Sequence, residues 1–123
     1  MQTRRKELKA MYKNNPPPMG VYQLKDTVNG RILVGGSMNL PGRRNSHFFQ
    51  LAMGSHPIKA LQADWQAHGE TAFAYEVLET VDASKLPPEE WRPAVAVLEA
   101  KWLDKLQPYE EKGYNKEKNN PVR

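Results

Sequence analysis

An α+β domain, a three-stranded antiparallel sheet flanked by helices with a short basic helix ahead of it, is what the sequence predicts. Three observations point there. The signals run in the order helix, β-hairpin, two helices, strand, helix, which a small antiparallel sheet covered by helices satisfies. The first two strand runs are closed by Asn29-Gly30, a dipeptide suited to a tight hairpin turn. A chain of 123 residues is enough for one core and one domain.

The spacing of Leu8, Met11 and Tyr12 predicts a helix over Thr3–Lys13, with Arg4, Arg5, Lys6, Lys9 and Lys13 around the rest of its surface. Asn14-Asn15-Pro16-Pro17-Pro18 stops it, since proline lacks the amide that would continue a helix and restrains the residue before it. Strands are predicted at Gly20–Lys25 and Arg31–Gly35, both rich in aliphatic and aromatic residues. Asn39 is a candidate cap for a helix with Pro41 in its first turn, running to Met53 and stopped by Gly54. Within it Arg43 and His47 share one face, and Leu40, Phe48, Leu51 and Ala52 form a separate apolar face.

A second helix is predicted from Pro57 to His68, with Ile58, Leu61 and Trp65 at helical spacing and Gly69 as its stop. Phe73–Leu78 reads as the third strand, with Phe73, Tyr75 and Val77 on one face. Pro87-Pro88-Glu89-Glu90 opens the longest helix, which reaches Leu106 on a core stripe of Val95, Leu98, Trp102 and Leu106. From Gly113 onward the polar tail is expected to fray. The expected units are residues 1–18 as basic helix and proline linker, 19–115 as the folded domain, and 116–123 as tail.

Composition narrows the function. With no cysteine there is no disulfide, no thiolate zinc site and no Cys nucleophile. No apolar run approaches the roughly 18 residues that span a bilayer, and the N-terminus lacks a signal-peptide apolar region, so no membrane and a cytoplasmic location are expected. Residues 1–50 hold nine basic and two acidic residues, a net of +7, whereas residues 51–123 hold nine basic and twelve acidic, a net of −3. A basic half suits a phosphate-bearing partner, and equally a plain soluble surface.

Common enzyme signatures are missing. Gly35-Gly36-Ser37 follows a strand but lacks the lysine and spacing of a phosphate loop. His47, His56 and His68 have no metal-ligand spacing. Arg43 and His47, four apart on one helix, read either as a solvated pair or as a cation and an imidazole aimed at a phosphodiester. Glu99, beside the stripe of the last helix, reads either as an ion-pair member or as a ligand for a hard cation.

Gly20-Val21-Tyr22, Leu33-Val34-Gly35 about ten residues later, and then Asn39-Leu40 with Arg43 and His47 resemble the GIY-YIG nuclease superfamily. The similarity continues through Leu51, Gly54 and His56, then Leu61-Gln62, Trp65 and Gly69, then Phe73 and Glu76-Val77-Leu78-Glu79. It ends with Glu99, Trp102 and Gly113-Tyr114-Asn115. The flavour is that of the catalytic domain of phage-type intron homing endonucleases, here as a free-standing domain. The resemblance implies a three-stranded antiparallel sheet with helices, as read independently above.

It also implies hydrolysis of DNA phosphodiesters with one divalent metal, Mg²⁺ or Mn²⁺. Carried over, Tyr22 would activate the attacking water directly or through a neighbour. Arg43 would bind the scissile phosphate. His47 would hydrogen-bond Tyr22 and help accept its proton. Glu99 would hold the metal, with Asn115 and His56 in support. Lys25, Arg31, Arg43 and Arg44 are the expected DNA contacts.

The departure is Leu33, which stands where the second motif has tyrosine. Leucine cannot relay a proton, so activity is expected to be lower by roughly 10²–10⁴-fold, the worth of one proton-transfer or oxyanion contact. A metal-dependent DNA endonuclease weakened at Leu33 is therefore one reading. The alternative is an inactive nucleic-acid-binding or regulatory module on the same fold. The absence of cysteine also excludes a zinc-based recognition module within these residues. Low sequence specificity is expected, with recognition supplied by a homo-oligomer, by a protein partner or by a DNA structure.

Overall fold

The computed structural model describes residues 15–116; the helix expected at Thr3–Lys13 and the tail beyond residue 116 lie outside them. Six principal elements follow in order: β1 (Gly20–Asp26), β2 (Ile32–Ser37), α1 (Leu40–Ala52), α2 (Lys59–His68), β3 (Phe73–Thr80) and α3 (Trp91–Leu106). The sheet is antiparallel with β1 central, in the order β2-β1-β3. The expected α+β class and strand count are those observed. Among the described residues, no helix is long and apolar enough to cross a membrane.

The hairpin follows from its turn chemistry. Gly30 has φ of 82°, a conformation open to glycine at little cost. The Asp26 carboxylate accepts from the Val28 N–H and the Asn29 side chain from the Arg31 N–H, so the turn satisfies its own donors. Register then sets Leu24 opposite Leu33 and Tyr22 opposite Gly35.

The face carrying Leu24, Leu33 and Phe73 is covered by α1 and α2. Its core also takes in Leu51, Leu61, Trp65, Ala72 and Tyr114. On the other face α3 packs through Trp91 and Val95 against Met19. Asn39 caps α1 as expected, its side chain accepting from the Gly42 N–H at 3.0 Å, and Pro41 sits in the first turn.

Three local expectations are corrected. His47 does not stand apart from the apolar face of α1: it is buried beside Leu40 and Leu51, whereas Ala52 is exposed. The three positions fall at i, i+7 and i+11, one side of a helix, and polarity alone had divided them. In α3 the buried residues are Trp91 and Val95, and Leu98, Trp102 and Leu106 are only half-buried. Trp102 stays at the rim because its indole N–H donates to the Glu79 carboxylate at 2.8 Å.

Phe73, Tyr75 and Val77 do share a face, and Val77, opposite Tyr22, is 44% exposed on this edge strand, whereas the Tyr75 hydroxyl donates to Leu40 O. Finally, Gly113 and Tyr114 do not fray. They are buried, and the Tyr114 N–H donates to Ile32 O, so this segment covers the free edge of β2.

Candidate active site

Tyr22, Arg43, His47, His56 and Glu99 meet at Gly35-Gly36, near the end of β2. Tyr22 points across the sheet over Gly35, and a Cβ there would lie 2.6 Å from the phenol oxygen. Gly36 does the same for the other face: a Cβ would lie 2.9 Å from Val95 and 3.0 Å from the Glu99 carboxylate. Two consecutive glycines on an edge strand therefore let a tyrosine from one face and a glutamate from the other reach the same opening. The opening is a cleft of about 300 Å³, walled by Tyr22, Arg43, His47, His56 and Glu99, with Leu33 and Gln50 beside them.

Tyr22 is held on three sides. Its Oη lies 2.7 Å from His47 Nε2, Arg43 Nε–H donates to it at 3.5 Å, and its ring stacks on Tyr75 with centroids 5.2 Å apart. His47 Nδ1 lies 2.9 Å from His56 Nε2, and the Ile58 backbone N–H donates to His56 Nδ1 at 3.1 Å. The loop between α1 and α2 holds this last ring in place. The His56 N–H donates to Gln62 Oε1, and Gln62 Nε2–H donates back to Leu51 O, each at 3.0 Å.

Burial dominates the electrostatics. It lowers the His47 pKa to about 4, reinforced by the charge of Arg43 and by His56. His56 is lowered for the first two reasons. Burial raises the Tyr22 phenol, although Arg43 pulls the other way, and raises Tyr75 to about 12. At neutral pH both imidazoles are thus uncharged, both phenols keep their protons, and Arg43 brings the fixed positive charge.

Glu99 makes no hydrogen bond or ion pair among the described residues, although it is half-buried in the cleft wall. A lone free carboxylate facing an opening suits a hard cation that keeps most of its water, so the residues present fit such an ion. A second cluster, Asp26, Asp64 and His68, has ligand atoms within 4.8 Å of one another. It sits at the hairpin end of the sheet and is internally satisfied. Asp26 takes His68 at 2.6 Å, and Asp64 takes the Tyr114 hydroxyl at 2.6 Å and Asn29 at 3.0 Å.

Asn115 does not enter the cleft. Its side chain accepts from the Val34 N–H and donates to Val34 O, both at 2.8 Å, standing in for a neighbouring strand one residue from Gly35. Arg44 is exposed on α1 with its guanidinium 4.8 Å over the Phe48 ring. Lys25 and Arg31 are not brought to the cleft. They lie at the hairpin end, about 10 Å down the ladder from Tyr22 at the usual rise per strand residue, and Arg31 is 3.8 Å from Asp64. Tyr75 and Gln62 support the site without a functional signal of their own in the sequence: Gln62 lies inside a matching motif, and Tyr75 carries nothing beyond strand alternation.

The fold matches that of a homing-endonuclease catalytic domain. The chain is similar to two solved structures of the catalytic domain of the intron homing endonuclease I-TevI. One, a mutant form, aligns with a TM-score of 0.65 at 26% identity over 80% of this chain and 92% of that one. The other aligns with a TM-score of 0.63 at 29% identity over 79% and 96%. Among curated proteins, intron-associated endonuclease 1 of Enterobacteria phage T4 is 33% identical over 66 residues, 54% of this chain. That match spans only 26% of the relative, about a quarter of its length. No family model matches the chain.

Proposed function

We propose that residues 19–115 form a metal-dependent DNA endonuclease domain that hydrolyses phosphodiester bonds. The observation that carries this reading is the convergence of Tyr22, Arg43, His47 and Glu99 on one cleft, with Glu99 unengaged. Homing endonucleases of the same fold act as the relatives.

In this reading Arg43 at the cleft mouth binds the scissile phosphate and stabilises the charge that grows on it. Tyr22 orients the attacking water, and His47 with Tyr75 fixes the phenol so that its reorganisation during reaction is small. Glu99 would hold the divalent cation, Mg²⁺ or Mn²⁺. When bound there, the ion supplies Lewis-acid charge to a phosphate oxygen. Arg44, on the same helix as Arg43, contributes a further phosphate contact.

Plasmid nicking tests the reading. Relaxation of supercoiled DNA is expected in Mg²⁺ or Mn²⁺ and not in EDTA, with Glu99→Ala and Arg43→Ala each lowering the rate at least 10²-fold. No relaxation by the wild-type chain in either metal would sink it. Leu33 favours a second reading, an inactive DNA-binding module, which predicts salt-dependent binding without nicking.

A further inference from the structure

We infer that the Tyr22 proton points into the cleft and away from His47, because a chain of hydrogen bonds starting at the Ile58 backbone N–H makes His47 the donor. The residue that sets this direction is His56, acting as a positioning residue.

The argument is one of donors and acceptors. A backbone amide can only donate, so His56 Nδ1, which receives the Ile58 N–H at 3.1 Å, carries no proton. A neutral imidazole has one N–H, and in His56 it must therefore be on Nε2. That atom is 2.9 Å from His47 Nδ1, which accepts and is bare in turn. The single proton of His47 is then on Nε2, 2.7 Å from the Tyr22 oxygen, to which it donates.

The Arg43 Nε–H is a second donor to the same oxygen at 3.5 Å. Tyr22 Oη thus receives hydrogen bonds from the protein, and among the described residues no acceptor is within reach of its own proton. Its one open side is the cleft. A doubly protonated His47 would set Nδ1–H against His56 Nε2–H, and the burial that pushes His47 down to about 4 agrees with its exclusion.

The consequence for the reaction rests on the nuclease reading; the proton arrangement does not. A proton leaving Tyr22 passes to an oxygen in the cleft, of water or phosphate. The electron pair stays on Oη, where the His47 and Arg43 N–H groups hold the phenolate. The sequence expectation that His47 accepts this proton gives way to one in which His47 stabilises what the proton leaves behind.

The experiment uses the full chain labelled with ¹⁵N in its histidine rings, free of DNA and metal at pH 7, with two-bond ¹H–¹⁵N spectra read for the protonated nitrogen. His47→Gln and His56→Gln assign the signals. Both His47 and His56 are expected with the proton on Nε2. In His56→Gln the amide NH₂ can still donate, so His47 keeps its proton on Nε2. In His56→Glu the carboxylate only accepts, so the His47 proton moves to Nδ1. Wild-type His47 protonated on Nδ1, or on both nitrogens, would overturn the inference, as would a folded His56→Glu chain with His47 unchanged. A protein with the expected tautomers that fails to nick DNA removes the nuclease reading alone. An active one with His47 protonated on Nδ1 removes this inference alone.

Discussion

Leu33 borders the cleft and is also packed in the core with Leu24, Leu51 and Trp65, only 6% exposed. A tyrosine there would have to carry its ring through the same packed space to put a hydroxyl in the opening. Leu33→Tyr is therefore expected to cost about 1–3 kcal/mol in stability through overpacking. The same variant should raise the nicking rate roughly 10²-fold or more, the worth of a restored catalytic contact. Initial rates of plasmid relaxation and a urea melt on the same protein check both, and an unchanged rate means that Tyr22 carries the chemistry alone.

His47 gives a pH prediction. Its folded pKa, about 4, lies below the unfolded value of about 6.5. Between the two the unfolded chain binds a proton that the folded chain does not, so stability falls as pH falls through that window. A shift of this size is worth about 3 kcal/mol, present in full above pH 6.5. Denaturant melts from pH 7 to 4 should show the loss, and His47→Gln should flatten it. Asp26 adds to acid lability only lower down. Burial opposes its charge, but the Val28 N–H, His68 and Tyr114 outweigh that and hold its carboxyl below the usual range.

Among the elements, β2 has the least support of its own. It is an edge strand with two glycines near its end, yet it sets the distance between the Tyr22 side of the cleft and the Glu99 side. Asn115 and the Tyr114 backbone replace the missing neighbour, which keeps the strand from fraying at the cleft. Asn115→Ala would leave both backbone groups of Val34 without that partner, at a cost of about 1–3 kcal/mol. Faster hydrogen exchange at the Val34 amide, with Leu24 unchanged, is the local signature; equal exchange at both would mean that the clamp is not local.

The Gly-Tyr-Asn motif was visible in the sequence, but its task was not. The partners are the main chain of a residue 81 positions away, and no side-chain pattern reports a backbone contact. The hairpin, by contrast, was legible because its donors and acceptors lie within a few residues of one another.

At the scale of the molecule, the four described basic residues of the first half, Lys25, Arg31, Arg43 and Arg44, do not form one surface around the cleft. Lys25 and Arg31 sit at the far end of the sheet, and Arg31 faces Asp64. Arg43 and Arg44 alone of the four expected contacts lie on the helix that borders the opening. DNA affinity should therefore fall with salt along a shallow slope, and Arg44→Ala should reduce the slope of log K against log salt by about 0.9. Arg31→Ala is expected to leave that slope within error. Fluorescence anisotropy on a labelled duplex over a salt series distinguishes the two, and equal effects would place the hairpin on the DNA.

Local chemistry by itself determined the strands, the Asn39 cap and the helix stops, because periodicity and turn residues act over a few positions, whereas the residues that meet in the cleft were named only by the family resemblance. Tertiary structure decided the rest. Burial turned His47 from a surface partner of Arg43 into an uncharged link behind Tyr22, and three histidines with no metal spacing resolved into two linked rings and one remote ring hydrogen-bonded to Asp26. Only packing fixes who donates to whom, since hydrogen-bond direction depends on which atoms the fold brings within about 3 Å, and no spacing along the chain encodes that.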